Sequence, residues 1–248
     1  MQQKDVFNQF QKFLKETDGD FHILEQRIPV DVQMEYFRVS NQLRKFPLQL
    51  NDTDFAKCID HLKNENSTKR QKQRILSTLA ISKQVKAYRL LEQYASETDD
   101  ELADWAYMAL MESRIALESE LSDEKQIYIS TGLGGKGRKL RFFILLLSSS
   151  GNPFLDYQRQ VIERESAYFL SKADCKIERL TIREKHVEAL LLIPIQIDIK
   201  RLLEEIVDEC NQYGNFLSNS ITVTNVKELS DEEIFKIVNM HGSNQTRH

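Results

Sequence analysis

The densest run of chemistry-bearing residues is Gln126–Leu147, QIYISTGLGGKGRKLRFFILLL. Four of the chain's eight glycines stand in it, Gly132, Gly134, Gly135 and Gly137, and with them come four cations, Lys136, Arg138, Lys139 and Arg141. Glycines let a backbone close on an oxyanion, and cations neutralise it, so the run invites comparison with a phosphate loop. Gly132 and Gly137 have the spacing of that motif. The motif then demands Lys followed by Ser or Thr, and a helix whose first amides face the phosphate. Here Arg138 and Lys139 follow, and then Phe142–Leu147, an unbroken apolar run that reads as a strand. Two other readings remain. One is a flexible hairpin loop, with glycines supplying positive φ and cations keeping it solvated. The other is an anion-binding loop that touches a nucleic-acid backbone or an acidic partner.

A second basic group is Lys69, Arg70, Lys72 and Arg74, in a helical stretch. Charge around it is segregated. From Lys63 to Arg89 there are eight Lys or Arg and one acid, Glu65; from Leu90 to Glu124 there are eleven Asp or Glu and one base, Arg114. Adjacent helices of opposite sign that complement each other, with solvated outer faces, account for this pattern. The remaining search is negative. The five histidines, His22, His61, His186, His241 and His248, have no metal-ligand spacing, and His186 is expected in a solvated turn. No Cys-x-x-Cys, His-Glu-x-x-His or Gly-x-Ser-x-Gly occurs. Glu204-Glu205 and Asp208-Glu209 fall on the polar side of an amphipathic helix, and Trp105 reads as core. No catalytic residue, cofactor or metal is expected, and the chain is read as not an enzyme.

The elements that must position these residues come from a chain of 248 residues, 41% hydrophobic and 29% charged, with a net charge of -4. That composition describes a folded protein with no bulk attraction to nucleic acid or membrane. The start, MQQKDVFNQFQKFLKETD, lacks the apolar core of a signal peptide, and no segment has the length of a membrane span. Cys58, Cys175 and Cys210 are odd in number and far apart, which fits reduced buried thiols in a cytoplasmic protein.

Residues 1–122 read as helical. Val6, Phe7, Phe10, Phe13 and Leu14 share one face of a helix over 3–17, stopped by Asp18-Gly19-Asp20. A second helix from Asp31 ends at Phe46-Pro47. From Thr53 to Glu120 two similar units follow, each a helix, a polar break and a helix. CIDHLKNENST…ILSTLA and LLEQYASETDD…YMALME repeat after about 31 residues, the length of a helical hairpin in an α-solenoid. Thr98-x-x-Glu101 reads as a capping box. The stretch LLEQYASETDDELADWAYMALMES resembles a HEAT-like repeat, and a plain helical bundle fits the same pattern.

Residues 123–242 read as α+β, with a disordered tail at 243–248. Strands are expected over 140–149, 175–184, 187–195 and 220–226. Helices are expected from Asn152-Pro153, from Asp198 to Gly214, and from Ser230-x-x-Glu233 to Met240. The order β-α-β-β-α-β resembles that of ferredoxin-like domains. Its first and third strands are central, and here FFILLL and ALLLIPI are the apolar ones, while the second and fourth are more polar, as edges are. RNA-recognition modules share this order, but Val187–Ile195 lacks their base-stacking aromatics. Gln126–Thr131 reads as an extra strand, so a mostly antiparallel sheet of four or five strands is expected, the extra one beside the others or elsewhere. Two helices cover one face; the other needs the helical half, the C-terminal helix or a partner chain over it.

The functional expectation is therefore a cytoplasmic, non-catalytic adaptor, scaffold or regulatory subunit that binds a protein partner or itself. The alternative is a nucleic-acid or ribosome-associated protein using loop 132–141 and helix 69–74. The third is an enzyme acting on a phosphorylated ligand through the glycine loop. No membrane partner is expected.

Overall fold

The computed structural model describes residues 21–45, 49–98, 101–122 and 127–245. The expected N-terminal helix with its stop, the helix end at Phe46-Pro47 and residues 246–248 lie outside them. Eight helices and seven strands are seen among the described residues, so the chain is mixed α+β. Contacts divide it into two units. One holds residues 28–128; the other joins Ile23–Arg27 to the chain from Ile129 onward.

In the first of these lie α1 (Val30–Leu43), α2 (Asp52–Lys63), α3 (Lys69–Ile81), α4 (Val85–Glu97) and α5 (Ala103–Ser122). Two capping boxes start α2 and α3, Asn51 with Asp54 and Thr68 with Gln71. The box expected at Thr98-x-x-Glu101 is not one: Thr98 ends α4, its amide donating to the Tyr94 carbonyl, and Glu101 pairs with Lys69 at 2.8 Å. α5 packs against α1, α3 and α4. Trp105 is buried on it and donates its indole N–H to the Gln73 carbonyl at 3.0 Å and Ser77 Oγ at 3.1 Å. One buried carboxylate fixes α1. Tyr36, Ser40 and Arg44, four residues apart, fall on one helical face. Tyr36 donates to Glu112 Oε2 at 2.5 Å, Ser40 to Oε1 at 2.6 Å, and Arg44 also bonds Oε1. Burial, and then the Glu112 charge, push the Tyr36 phenol well above its ordinary pKa, so it stays a donor.

The second unit is built on β4 (Lys139–Ser148) and β6 (His186–Pro194), antiparallel in register Phe143↔Leu190. β5 (Lys176–Ile182) pairs the far edge of β6, and β7 (Leu217–Thr224) pairs β4 from Phe143 to Ser148. The apolar strands are therefore central and the polar ones lie at the edges. The fifth strand is β3 (Gly135–Lys136), inside the glycine run, which pairs Leu140 and Lys139 on the edge that β7 leaves free. The expected extra strand is not in this sheet: β2 (Ile127–Ile129) pairs with β1 (Phe21–Ile23) in a separate two-stranded sheet.

Helix α6 (Asp156–Lys172) starts three residues later than expected from Asn152-Pro153. The Phe154 amide donates to the Glu184 carbonyl at 2.6 Å, which keeps that stretch extended. Its buried stripe is Val161, Ile162, Glu165, Ser166 and Leu170, while Leu155, Tyr157 and Tyr168 are exposed. Helix α7 (Ile199–Asn211) is capped by Asp198, whose carboxylate accepts from the Arg201 amide, and buries Leu202, Leu203, Ile206, Val207 and Cys210.

The other face of the sheet is covered by the chain itself. Phe143, Leu145 and Leu147 alternate onto one face of β4. With Leu133 and Leu190 they form a core with Ile234 of α8 (Asp231–Gln245), flanked by Leu229, Ile237 and Val238. Ser230 and Glu233 make the expected capping box. The helix continues to Gln245, so residues 243–245 belong to it rather than to a disordered tail.

Two outcomes follow. Ile234→Ala should lower unfolding free energy by about 2–4 kcal/mol in urea titrations, while Phe235→Ala, 67% exposed on the same helix, should change it little. Glu112→Ala, which strands the Tyr36 and Ser40 hydroxyls, should cost about 2–4 kcal/mol by the same measurement.

Candidate functional site

The glycine run is a packed element, not a mobile loop. Gly132, Leu133, Gly134 and Gly135 are all buried. A Cβ on Gly132 would run into the Val226 carbonyl, and Gly134, at φ +64°, lies against the Glu25 and Gln26 backbone. Its amides are already engaged. Leu133 donates to the Asn225 carbonyl at 3.0 Å, Gly134 to that of Thr131 at 3.1 Å, and Gly137 to Glu25 Oε1 at 3.0 Å. A phosphate cradle needs such amides free and a helix behind them. Here protein oxygens occupy them, and the strand β4 follows.

What the run does is turn a short hairpin. Lys136 faces Lys139 across it, and Gly137, at φ +59°, forms the tip with Arg138. The four cations divide into two kinds. Lys139 bonds Asp174 Oδ1 at 2.8 Å. Arg141, whose side chain is only 11% exposed, grips Glu178 with Nε at 2.5 Å and Nη2 at 2.9 Å, and donates to the Leu133 carbonyl at 2.6 Å. Lys136 and Arg138 are exposed and have no bonded carboxylate among the described residues.

Residues far apart in sequence join this end of the sheet. The register of β5 slips between Ile177 and Arg179, so Glu178 is the extra residue of a β-bulge. The bulge lets Glu178 reach Arg141 while Arg179 next to it, opposite Leu190, reaches Glu228. Arg27 takes the other oxygen of Glu228 at 2.6 Å. The bond from Arg141 holds the Glu178 carboxyl below its ordinary range. Burial opposes ionisation of Glu228, but bonds from Arg179 and Arg27 outweigh it and lower that carboxyl too. No sequence pattern announced Arg27 or Glu228, 201 positions apart.

The second basic group lies in the unit of residues 28–128. Lys69 is tied to Glu101; Arg70 and Arg74 are exposed one turn apart on α3, and with Lys72 have no bonded acid among the described residues.

The other titratable cluster is on β6. His186 is the first residue of the strand and not a solvated turn residue: its side chain is 19% exposed, with Nε2 3.3 Å from Glu188 Oε1. Arg183 Nε donates to the same oxygen at 3.0 Å, which puts a fixed positive charge where a metal would have to approach. No group of three or more His, Cys, Asp or Glu able to hold a metal occurs among the described residues. The cysteines are free thiols, with Cys210 buried and the others half-buried. Burial pushes Cys175 up to about 11 and Cys210 to about 12, so neither is a ready thiolate nucleophile at neutral pH. No described helix is long and apolar enough to cross a membrane.

No family model matches the chain, and no curated protein matches it. Among solved structures it is similar to a Deinococcus radiodurans R1 protein described as a transposase, at 14% identity and TM-score 0.38, over 42% of this chain and 91% of that one. It is also similar to a REP-associated tyrosine transposase bound to a REP hairpin, at 12% identity and TM-score 0.32, over 44% and 67%. A third likeness is the P2 domain of the chemotaxis kinase CheA from Thermotoga maritima, solved with the response regulator CheY, at 13% and TM-score 0.25, over 36% and 99%. Two of these are described as transposases, and the expectation of a non-enzyme, drawn from missing motifs, is withdrawn.

The arginine–carboxylate network sets a pH response. Glu178 and Glu228 have depressed folded-state pKa values, so the stability they contribute is present above the unfolded carboxylate value, about 4.3. It is lost as pH falls through the lower folded values. Thermal midpoints should therefore drop between about pH 5 and pH 3. The drop should be smaller when Glu178 and Glu228 are both replaced by Gln.

Proposed function

We propose that this chain binds nucleic acid, with the β3–β4 hairpin as the contact. The observation that carries this is the state of the hairpin's cations. Lys136, at the end of β3, and Arg138, in the two-residue tip, are exposed with no acid bonded to them among the described residues, and Arg141 stands behind them. Across the hairpin and the residues bonded or charge-coupled to it, seven cations (Arg27, Lys136, Arg138, Lys139, Arg141, Lys176 and Arg179) meet four carboxylates (Glu25, Asp174, Glu178 and Glu228). The chain as a whole carries -4. A local surplus of cations on a net-acidic protein attracts a polyanion to one place. Arg70, Lys72 and Arg74 on α3 are a second such place, tested separately.

The strand order supports a ferredoxin-like reading of the sheet unit, and the paired helices of residues 52–122 support two HEAT-like hairpins. Free thiols at all three cysteines fit a cytoplasmic protein. An adaptor role loses its main motive, because α8 already covers the sheet face that a partner was expected to cover.

The test is fluorescence anisotropy with labelled single-stranded and duplex oligonucleotides of DNA and RNA over a salt series. Replacing Lys136 and Arg138 by Ala should weaken binding about tenfold and flatten the log–log salt slope by about 1.5, at ~0.7–0.9 per lost phosphate contact. No binding at low salt, or equal affinity in the variant, would remove the proposal.

A further inference from the structure

The sheet has two outer edges, and they are protected differently. β5 carries Lys176, Glu178 and Arg179 within seven residues, charges that deter pairing with another strand. β7 carries none in eight residues, LSNSITVT, and the charge-free run extends from Cys210 to Val226. Apart from β4, no strand pairs with β7 among the described residues. Asn211 bonds both the amide and the carbonyl of Leu217, which closes the edge at that end. The Ser220 amide donates to Ser218 Oγ at 3.1 Å; from Ile221 to Thr224, half-exposed, no backbone bond other than the ladder to β4 is seen among the described residues.

We propose that this edge pairs antiparallel with the β7 edge of a second copy of the chain, about a two-fold axis at Thr222. The sequence is self-complementary in that register. Thr222 meets Thr222, Ile221 meets Val223, and Ser220 meets Thr224. Each is a pair of β-branched or hydroxyl side chains of the kind that stabilises neighbouring strands. Charge permits it as well, since no ionised group on either strand is brought against its own copy. The two sheets then continue as one, and the outward backbone groups of both edges are satisfied together.

The experiment is sedimentation equilibrium of the full chain, nuclease-treated and in high salt, from about 1 to 100 μM, a range that brackets micromolar dissociation constants. The expected result is a mass rising toward twice the 29.0 kDa chain. Thr222→Lys and Thr222→Glu should each be monomeric, with circular dichroism and thermal midpoint close to the parent. Mixing the two should restore a dimer, since opposite charges then face each other at the axis. A parent that stays monomeric throughout overturns the proposal, and so does a dimer that survives Thr222→Lys. If the single variants unfold, Asn219→Lys, at the exposed end of the same edge, takes their place with the same two outcomes.

Discussion

Two strands that are apolar on both sides govern the sheet unit. Between Leu140 and Leu147 of β4 only Arg141 escapes full burial, and β6 is buried from Val187 to Pro194. An edge strand in an antiparallel sheet can leave one face wet, but strands of this composition cannot. At roughly 25 cal/mol per Å2 of apolar surface, leaving either face open would forfeit a large part of the unit's stability. Everything else follows from that need. α6 and α7 supply inward residues for one face, and α8 brings Ile234, Ile237 and Val238 to the other. The polar strands β5 and β7 are left to the edges, where half their backbone faces outward.

The same constraint shapes the basic end of the sheet. Arg141 stands two residues before Phe143 and so lies on the face that α8 covers further along. A guanidinium in that position needs a partner, and the bulge in β5 supplies Glu178. The glycines serve this packing. Gly132 leaves room for the Val226 carbonyl, and Leu133 joins the core while its carbonyl accepts from Arg141. What remains outside is the tip, with Lys136 and Arg138. Bonding is thus divided along one short hairpin: Lys139 and Arg141 are held by carboxylates, and Lys136 and Arg138, with no bonded carboxylate among the described residues, face solvent.

In the unit of residues 28–128 the organising group is again a charge that burial forced into company. Glu112 on α5 collects Tyr36, Ser40 and Arg44 from one face of α1. The segregated charge of the neighbouring helices finds its counterparts in Lys69–Glu101 and Lys83–Glu120, which tie the basic stretch to the acidic one. These exposed pairs contribute little each; the buried indole of Trp105 and the Glu112 cluster do more.

The sequence by itself determined the mixed α+β class and which strands are central. It also placed the starts of α7 and α8. These rest on local signals: apolar runs, period and capping side chains, each complete within a few residues. It did not determine that the extra strand at 127–129 would leave the main sheet, that Gly135–Lys136 would enter it, or that His186 would sit inside β6. Nor did it show that α8 covers the second face, or that Arg27, Arg141 and Arg179 share two carboxylates. Those outcomes depend on residues brought together across as many as 201 positions, and on a one-residue bulge that re-aims Glu178. Pairing of that kind is a competition among distant partners for limited edges and faces. Only the folded chain decides it, because the winning arrangement is the one that leaves the fewest apolar faces and charged groups unmatched.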